Sequence, residues 1–300
     1  MIPAIASRHS WFEAMARRRL AGLLDAGSFA EILPPAESQP SPHLAQLELP
    51  GAFDDGVIVG SGRLAGRAVL VAAQEGQFIG GAVGEIHGAK IVGLLRRAVR
   101  EKPAAVLILI DSGGVRLHEA NAGLIAISEI MRAVLEARAA GVPVIALVGG
   151  SCGAFGGMGI VAKLCSAIII SEEGRLALSG PEVIETVAGV EEFDSKDRAL
   201  VWRVTGGKHR YLMGDCAVLV EDDIAAFRDG ATAFLAGWTE PEPGLAGLRA
   251  TQQRLENRLA AYASCRDGLQ VWAALGVAEP ESVPLLDRDS LVALKEGLPT

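Results

Sequence analysis

Two glycine pairs carry the most suggestive chemistry in this sequence. Gly113-Gly114 lie within Asp111-Ser112-Gly113-Gly114-Val115-Arg116, and Gly156-Gly157 close the run from Gly149 to Met158. Each follows a short, wholly apolar segment. A residue without a Cβ lets backbone N–H groups turn toward a ligand that approaches closely. A helix N-terminus adds unpaired donors and a favourable partial charge. If the two apolar segments are neighbouring strands, N–H groups from separate turns meet at one point, which is how an oxyanion is stabilised. Tight strand–helix turns also need glycine, so each pair alone has a second explanation.

Side-chain chemistry is thinner. Ser112 and Ser151 lie in the turns, but neither sits in a G-x-S-x-G elbow and no histidine is beside them. There is no phosphate-binding G-x-x-x-x-G-K-[ST] and no G-x-G-x-x-G with a suitable acid beyond it. His87 and His118 flank glycine-rich segments and read as surface histidines. Cys152, Cys165, Cys216 and Cys265 form no C-x-x-C pair and no Cys-His zinc spacing, so no metal site is expected.

The elements that must position the glycines follow from periodicity. Residues 57–64 and 67–74 alternate as a hairpin about Ala65-Gly66. Residues 84–100 look helical, and Ala104–Ile110 and Val142–Val148 are apolar runs of the kind buried on both faces of a sheet. Residues 121–140 form an amphipathic helix, with Leu124, Ile127, Met131 and Val134 on one face. A short helix over 156–164 and a strand over Ala167–Ser171 complete a repeating order of strand, turn and helix, which argues for α/β layering. Upstream, residues 10–33 read as a helix broken near Gly27. Pro34, Pro35, Pro40, Pro42 and Pro50 then suggest an arm that wraps the surface or reaches a partner. The last seventy residues read as helical, with Leu248, Leu255, Leu259 and Tyr262 as an apolar stripe that packs within the chain or beyond it. Three regions are expected: an arm over 1–54, a central domain over 55–230 and a helical extension over 231–300.

Composition bounds the function class. The chain has 300 residues, half of them apolar, so it has ample material for a core and is not disordered. Its 36 acidic and 28 basic side chains give a net charge of −8, which disfavours a nucleic-acid surface. No apolar run approaches the ~18 residues of a membrane span. Arg17-Arg18-Arg19 occupy the place of a secretory signal's apolar core. A cytoplasmic chain without membrane or nucleic-acid partners is expected.

Several motifs together carry a family resemblance over roughly residues 10–230. Gly80-Gly81-Ala82-Val83-Gly84-Glu85, Gly88-Ala89-Lys90-Ile91, the segment Asp111 to Glu119, and Ser179-Gly180-Pro181-Glu182-Val183-Ile184-Glu185 occur in the order seen in carboxyltransferase subunits of acyl-CoA carboxylases. Glu119-Ala120-Asn121, Phe155-Gly156-Gly157-Met158, Gly189 to Ser195 and Thr205-Gly206-Gly207 most resemble the beta subunits of biotin-independent malonate decarboxylases. The acetyl-CoA carboxylase relatives begin with a four-cysteine zinc ribbon, whereas Cys152 is the first cysteine here. Those relatives continue the glycine-proline segment with arginine, where this chain has Glu182, and no Met-Lys-Met biotinylation tripeptide is present.

The resemblance implies an α/β, crotonase-like (ClpP/crotonase) spiral of ββα units with helical N- and C-terminal extensions. It implies decarboxylation of a malonyl thioester, held on the phosphopantetheine-type, dephospho-CoA-derived arm of an acyl carrier protein, to acetyl thioester and CO2. No cofactor would be bound covalently, and CoA itself is a candidate ligand. The implied partners are a homologous gamma subunit, the acyl carrier protein subunit and the alpha subunit that transfers the carrier. Under this reading Gly113, Gly114, Gly156 and Gly157 supply the oxyanion hole. Gly80, Gly81, Val115, Ala154, Phe155, Met158, Pro181 and Glu182 line the substrate. Ala154, Phe155 and Met158 form an apolar wall for the leaving carboxylate, unless they are ordinary helix-start packing. The final proton comes from Glu119, His118, Glu182, Glu185 or bulk water. Glu182 and Glu185 also suit a helix first turn on dipole grounds alone. Two other readings stay open: a carboxyltransferase beta subunit of a biotin-dependent enzyme, and a non-catalytic assembly subunit.

Overall fold

A computed structural model of the chain describes residues 9–37, 39, 41–46, 48, 55–241 and 244–298. Its sheet has seven strands whose spatial order follows the chain: β1 (Ala30–Ile32), β2 (Val57–Leu64), β3 (Arg67–Gln74), β4 (Ala105–Ile110), β5 (Val144–Val148), β6 (Ala167–Ser171) and β7 (Val218–Val220). β1 to β3 pair antiparallel. The β2–β3 hairpin closes at Ala65 and Gly66, both with positive φ, as a two-residue hairpin turn demands. From β3 to β7 the pairing is parallel.

The helices are α1 (Ala16–Leu23), α2 (Pro42–Gln46), α3 (Glu85–Glu101), α4 (Ala122–Ala139), α5 (Gly156–Leu164), α6 (Pro181–Ala188), α7 (Arg198–Thr205), α8 (Gly207–Leu212), α9 (Ile224–Gly237), α10 (Leu245–Tyr262), α11 (Gly268–Ala274) and α12 (Arg288–Glu296). Each inner parallel strand is followed by a second, minimal strand reduced to bridge residues, and then by a helix. Val83 pairs with Val115 between β3 and α3 and between β4 and α4, while Ala154 pairs with Ser112 and Leu176 ahead of α5 and α6. This is the expected ββα spiral, with the second strand of each unit worn down to a bridge.

The sheet is buried on both faces, and residue parity assigns them. Val106, Ile108 and Ile110 of β4 pack with α3, α4 and α5. Ala105, Leu107 and Leu109 pack with Trp11, α1 and α9. Trp11 and Phe227 stack with ring centroids 4.0 Å apart. Each such aliphatic side chain contributes on the order of 1.5–3 kcal/mol by leaving water.

Three expectations need correction. The helix read over 10–33 is confined to Ala16–Leu23, and Ala30–Ile32 joins the sheet edge against Val59–Ser61. The ladder offered by β2, and the packing of Phe29 against the bare Cα of Gly60, override the helical pattern there. On α4 the buried stripe is Gly123, Ala126, Ile127, Ile130, Ala133, Val134 and Ala137, so of the expected face Ile127 and Val134 are buried, Met131 is partly buried and Leu124 is not part of it. Ala126 meets Gly88 of α3 so closely that only glycine fits, and small residues set that helix–helix distance, leaving Leu124 exposed. Of the stripe expected to pack within the chain or beyond it, Leu248, Leu255 and Leu259 are exposed and Tyr262 is half-buried, so among the described residues the leucines do not pack within the chain. Of the prolines read as an arm, Pro34 and Pro35 lie at a turn and Pro42 opens α2, while Pro40 and Pro50 fall outside the described residues, as do 1–8 and 51–54. Residue 230 falls inside α9.

Candidate functional site

The loops leaving β3, β4, β5 and β6 meet at one corner. Ser112 N–H donates to Gly153 O (2.7 Å) and Phe155 N–H to Ser112 O (3.0 Å), which zips the two glycine loops together. Gly113 N–H donates to Gly80 O (2.9 Å), Gly156 N–H to Leu178 O (2.8 Å) and Ala154 N–H to Arg175 O (2.8 Å). A Cβ added to Gly156, whose φ is +57°, would lie 3.2 Å from the Cα of Gly114, so the two pairs adjoin.

Those bonds divide the four glycine donors. Gly113 and Gly156 spend their N–H groups on structure. The N–H of Gly114 has only a long 3.3 Å contact to Ser112 Oγ. Gly157 is the second residue of α5, among the positions whose N–H groups lack an intrahelical acceptor, and no acceptor for it occurs among the described residues. Gly114 and Gly157 therefore supply the donors still available for a ligand. Gly157 has a second constraint as well, since a Cβ there would come within 2.7 Å of Ile127.

The other residues singled out from sequence divide into groups. Gly81 is pressed against the carbonyl of Asp111, and Val115 is partly buried beside its bridge to Val83. Ala154 and Met158 belong to the core, whereas the ring of Phe155 lies under the Arg175 guanidinium at 5.6 Å. Pro181 is buried at the start of α6, and Glu182 is exposed beside it. Ser112 Oγ is taken by the Gly114 backbone. Glu119 is wholly buried, pairing with Arg116 (3.0 Å) and accepting the Glu85 N–H (2.6 Å). Glu185 accepts the Ser195 N–H (2.7 Å); this and the Ser195 hydroxyl hold its carboxyl below the usual range. His118 faces solvent.

His87 is not the surface histidine its sequence context suggested. It is fully buried, and burial, reinforced by Arg116 and Lys90, pushes its pKa well below the usual histidine value. A neutral ring suits its neighbours: Nε2 lies 3.0 Å from Gln74 Nε2 and Nδ1 lies 3.2 Å from Asp55 O. Asp55 also accepts from Arg116 (3.0 Å). Arg19 and Asp111 form a second buried ion pair (2.8 Å) at the end of β4. Sequence reasoning missed these partners because they lie far apart in the chain. Only the i, i+3 spacing of Arg116 and Glu119 was a local signal.

The segments that follow the corner loops carry exposed apolar side chains. Leu117, Leu124, Ile125, Leu178, Val183 and Val187 are all exposed, Leu117 by 84% and Val187 by 83%. A separate cavity of about 320 Å³ lies among Glu173, Trp202, Lys208 and Trp272, where burial and the neighbouring Glu172 raise Glu173 to about 7. No cluster of three or more His, Cys, Asp or Glu able to hold a metal occurs among the described residues. No described helix is long and apolar enough to cross a membrane.

Comparison with known proteins places this geometry among relatives. The carboxyl transferase domain model matches residues 8–236. The malonyl-S-ACP:biotin-protein carboxyltransferase MADC of Malonomonas rubra is 41% identical over 96% of both chains. The propionyl-CoA carboxylase beta chain of Saccharopolyspora erythraea is 32% identical over 77% of this chain, which spans 41% of that relative's length. Among solved structures, a chain of a Pseudomonas malonate decarboxylase hetero-tetramer in complex with malonate superposes with a TM-score of 0.82, at 39% identity, over 89% of this chain and 98% of that one. The transcarboxylase 12S core matches at 0.65, with 26% identity, over 75% of this chain and 42% of the other.

Proposed function

Because this chain belongs to the carboxyl transferase domain family, we propose that it is the thioester-holding subunit of a malonate decarboxylase. Its substrate is a malonyl thioester on the phosphopantetheine-type arm of a carrier protein, and CoA is an alternative carrier of the same group. As the C–C bond breaks, its electron pair moves onto the thioester carbonyl and CO2 departs. The negative charge on that oxygen is met by the N–H groups of Gly114 and Gly157, and the enolate carbon then takes a proton to give the acetyl thioester. Donors aimed at a charge that develops only in the transition state lower the barrier without tightening the ground state.

The observation that carries this reading is the convergence of the two loops at Gly114 and Gly156, together with the division of donors that leaves Gly114 and Gly157 available. His118, Glu182 or water delivers the proton. Glu119 and Glu185 are already engaged by Arg116, Glu85 and Ser195. The exposed apolar rim supports a homologous gamma-type partner that closes the corner, with the carrier protein and its transferase as further subunits.

A second reading has an observation of its own. A relative that matches over nearly its whole length is named for transfer of the carboxyl group to a biotin protein. In that case CO2 or its equivalent passes to biotin on a partner and is not released. One assay separates the two. The chain, assembled with its homologous partner in biotin-free solution, is given a malonyl thioester. One CO2 per acetyl thioester supports decarboxylation, whereas turnover that requires an added biotinylated protein supports transfer.

A further inference from the structure

We propose that Asp111, paired with Arg19, is a positioning residue that clamps the two donor loops into register. This rests on the decarboxylase reading for its chemistry, but not for its geometry. Asp111 directly precedes Ser112-Gly113-Gly114. One carboxylate oxygen accepts the Cys152 N–H (2.7 Å) from the loop that leads to Gly157, and the other accepts from Arg19 Nη1 (2.8 Å) on α1. Its own N–H donates to Gln74 Oε1 (3.3 Å) at the end of β3. Through its backbone and its carboxylate Asp111 thus ties the end of β3 and the loops leaving β4 and β5 to α1.

The surrounding chain is built around that carboxylate. A Cβ on Gly76 would fall 2.6 Å from it, and one on Gly150 closer still, so both positions are bare where the acid passes. Asp111 and Arg19 are both almost fully buried. Arg19 is fixed in turn by donating through Nε to Trp11 O (2.8 Å). Charge-assisted bonds are roughly twice as strong as neutral ones, and a single anion shared by two loops couples their positions. Burial alone would favour the neutral acid, and the Arg19 guanidinium opposes that. The pair costs desolvation that an apolar pair would not. Holding two sets of backbone donors within about 0.5 Å of a productive geometry accounts for its presence.

The test uses the assembled complex. D111N leaves Arg19 as an unpaired buried charge and risks misfolding, so the neutral pair R19Q/D111N is made beside it. In the folded variant kcat should fall about 30-fold or more while the thioester KM stays within about threefold. Amide exchange at Cys152 and Gly153 should quicken about tenfold. R19K, which keeps the charge, should recover part of the rate lost in R19Q. A folded neutral-pair variant with wild-type kcat and wild-type exchange at Cys152 overturns the clamp. If the wild-type complex releases no CO2, the decarboxylase reading fails, and the exchange rates alone decide whether Asp111 clamps the loops.

Discussion

At the scale of single residues, glycine answers two demands at once. Gly157 is bare because α4 passes close by at Ile127, and in the proposed reading its N–H, without an acceptor among the described residues, also serves the ligand. G157A should therefore lose about 1–3 kcal/mol of stability through overpacking, although alanine is the better helix former. Adding I127V should recover part of that loss, which denaturant titration of the three variants will show. A different residue contributes to acid sensitivity, as buried His87 also does. His209 is buried beside Trp272, and burial, aided by Arg210, lowers its pKa to about 3. Its folded value lies below the unfolded one, so the unfolded chain binds the extra proton. The stability His209 permits is intact above about pH 6.5 and is lost as pH falls toward 3, by up to about 1.4 kcal/mol per pH unit. Its Nδ1 has no partner among the described residues, so H209L should fold and should flatten that slope by about one proton's worth. A slope unchanged in H209L would place the acid sensitivity elsewhere. The glycine pairs were legible from sequence because they interrupt apolar runs. Arg19, Asp55 and Gln74 were not, because a buried charge declares itself only through a partner distant in the chain.

At the scale of elements, sequence reading succeeds where one period dominates and fails where two elements compete. The hairpin over 57–64 and 67–74, the helix over 156–164 and the strand over 167–171 match their expected bounds. Residues 10–33 carry a helical pattern throughout, yet a free sheet edge captured Ala30–Ile32. On α4 the expected face holds at Ile127 and Val134 and fails at Leu124, because α3 approaches so closely at Gly88 that Ala126 fills the contact. α10 is amphipathic in sequence, yet it buries no residue fully, and its three stripe leucines are exposed. Replacing Leu248, Leu255 and Leu259 by lysine should therefore change the thermal stability of the isolated chain by no more than about 0.5 kcal/mol per site. A large drop would mean that the stripe packs against the chain after all.

At the scale of the whole molecule, the spiral delivers four loops to one edge, and that edge is rimmed by exposed apolar side chains. An enzyme that must keep water from an enolate is poorly served by such an opening. In the proposed reading the corner offers backbone donors but little enclosure, which fits a subunit that works against a partner. The interface with that partner should be largely apolar and exceed ~2,000 Å², as obligate interfaces do. Isothermal or sedimentation measurements should show tight association, lost when Leu117 and Val187 are both changed to aspartate. The central claim is narrower: the Gly114 N–H stabilises the enolate oxygen. A Cβ at Gly114 meets no neighbour within 4 Å, so strain at its φ of +142° is what a side chain would add there. The most direct measurement is the rate of CO2 release from a malonyl thioester by the assembled complex carrying G114A. G114A keeps the N–H but strains the backbone that aims it, so the account predicts a displaced donor and a fall in kcat of about tenfold or more, with thioester binding little changed. A folded G114A complex that releases CO2 at the wild-type rate would contradict it.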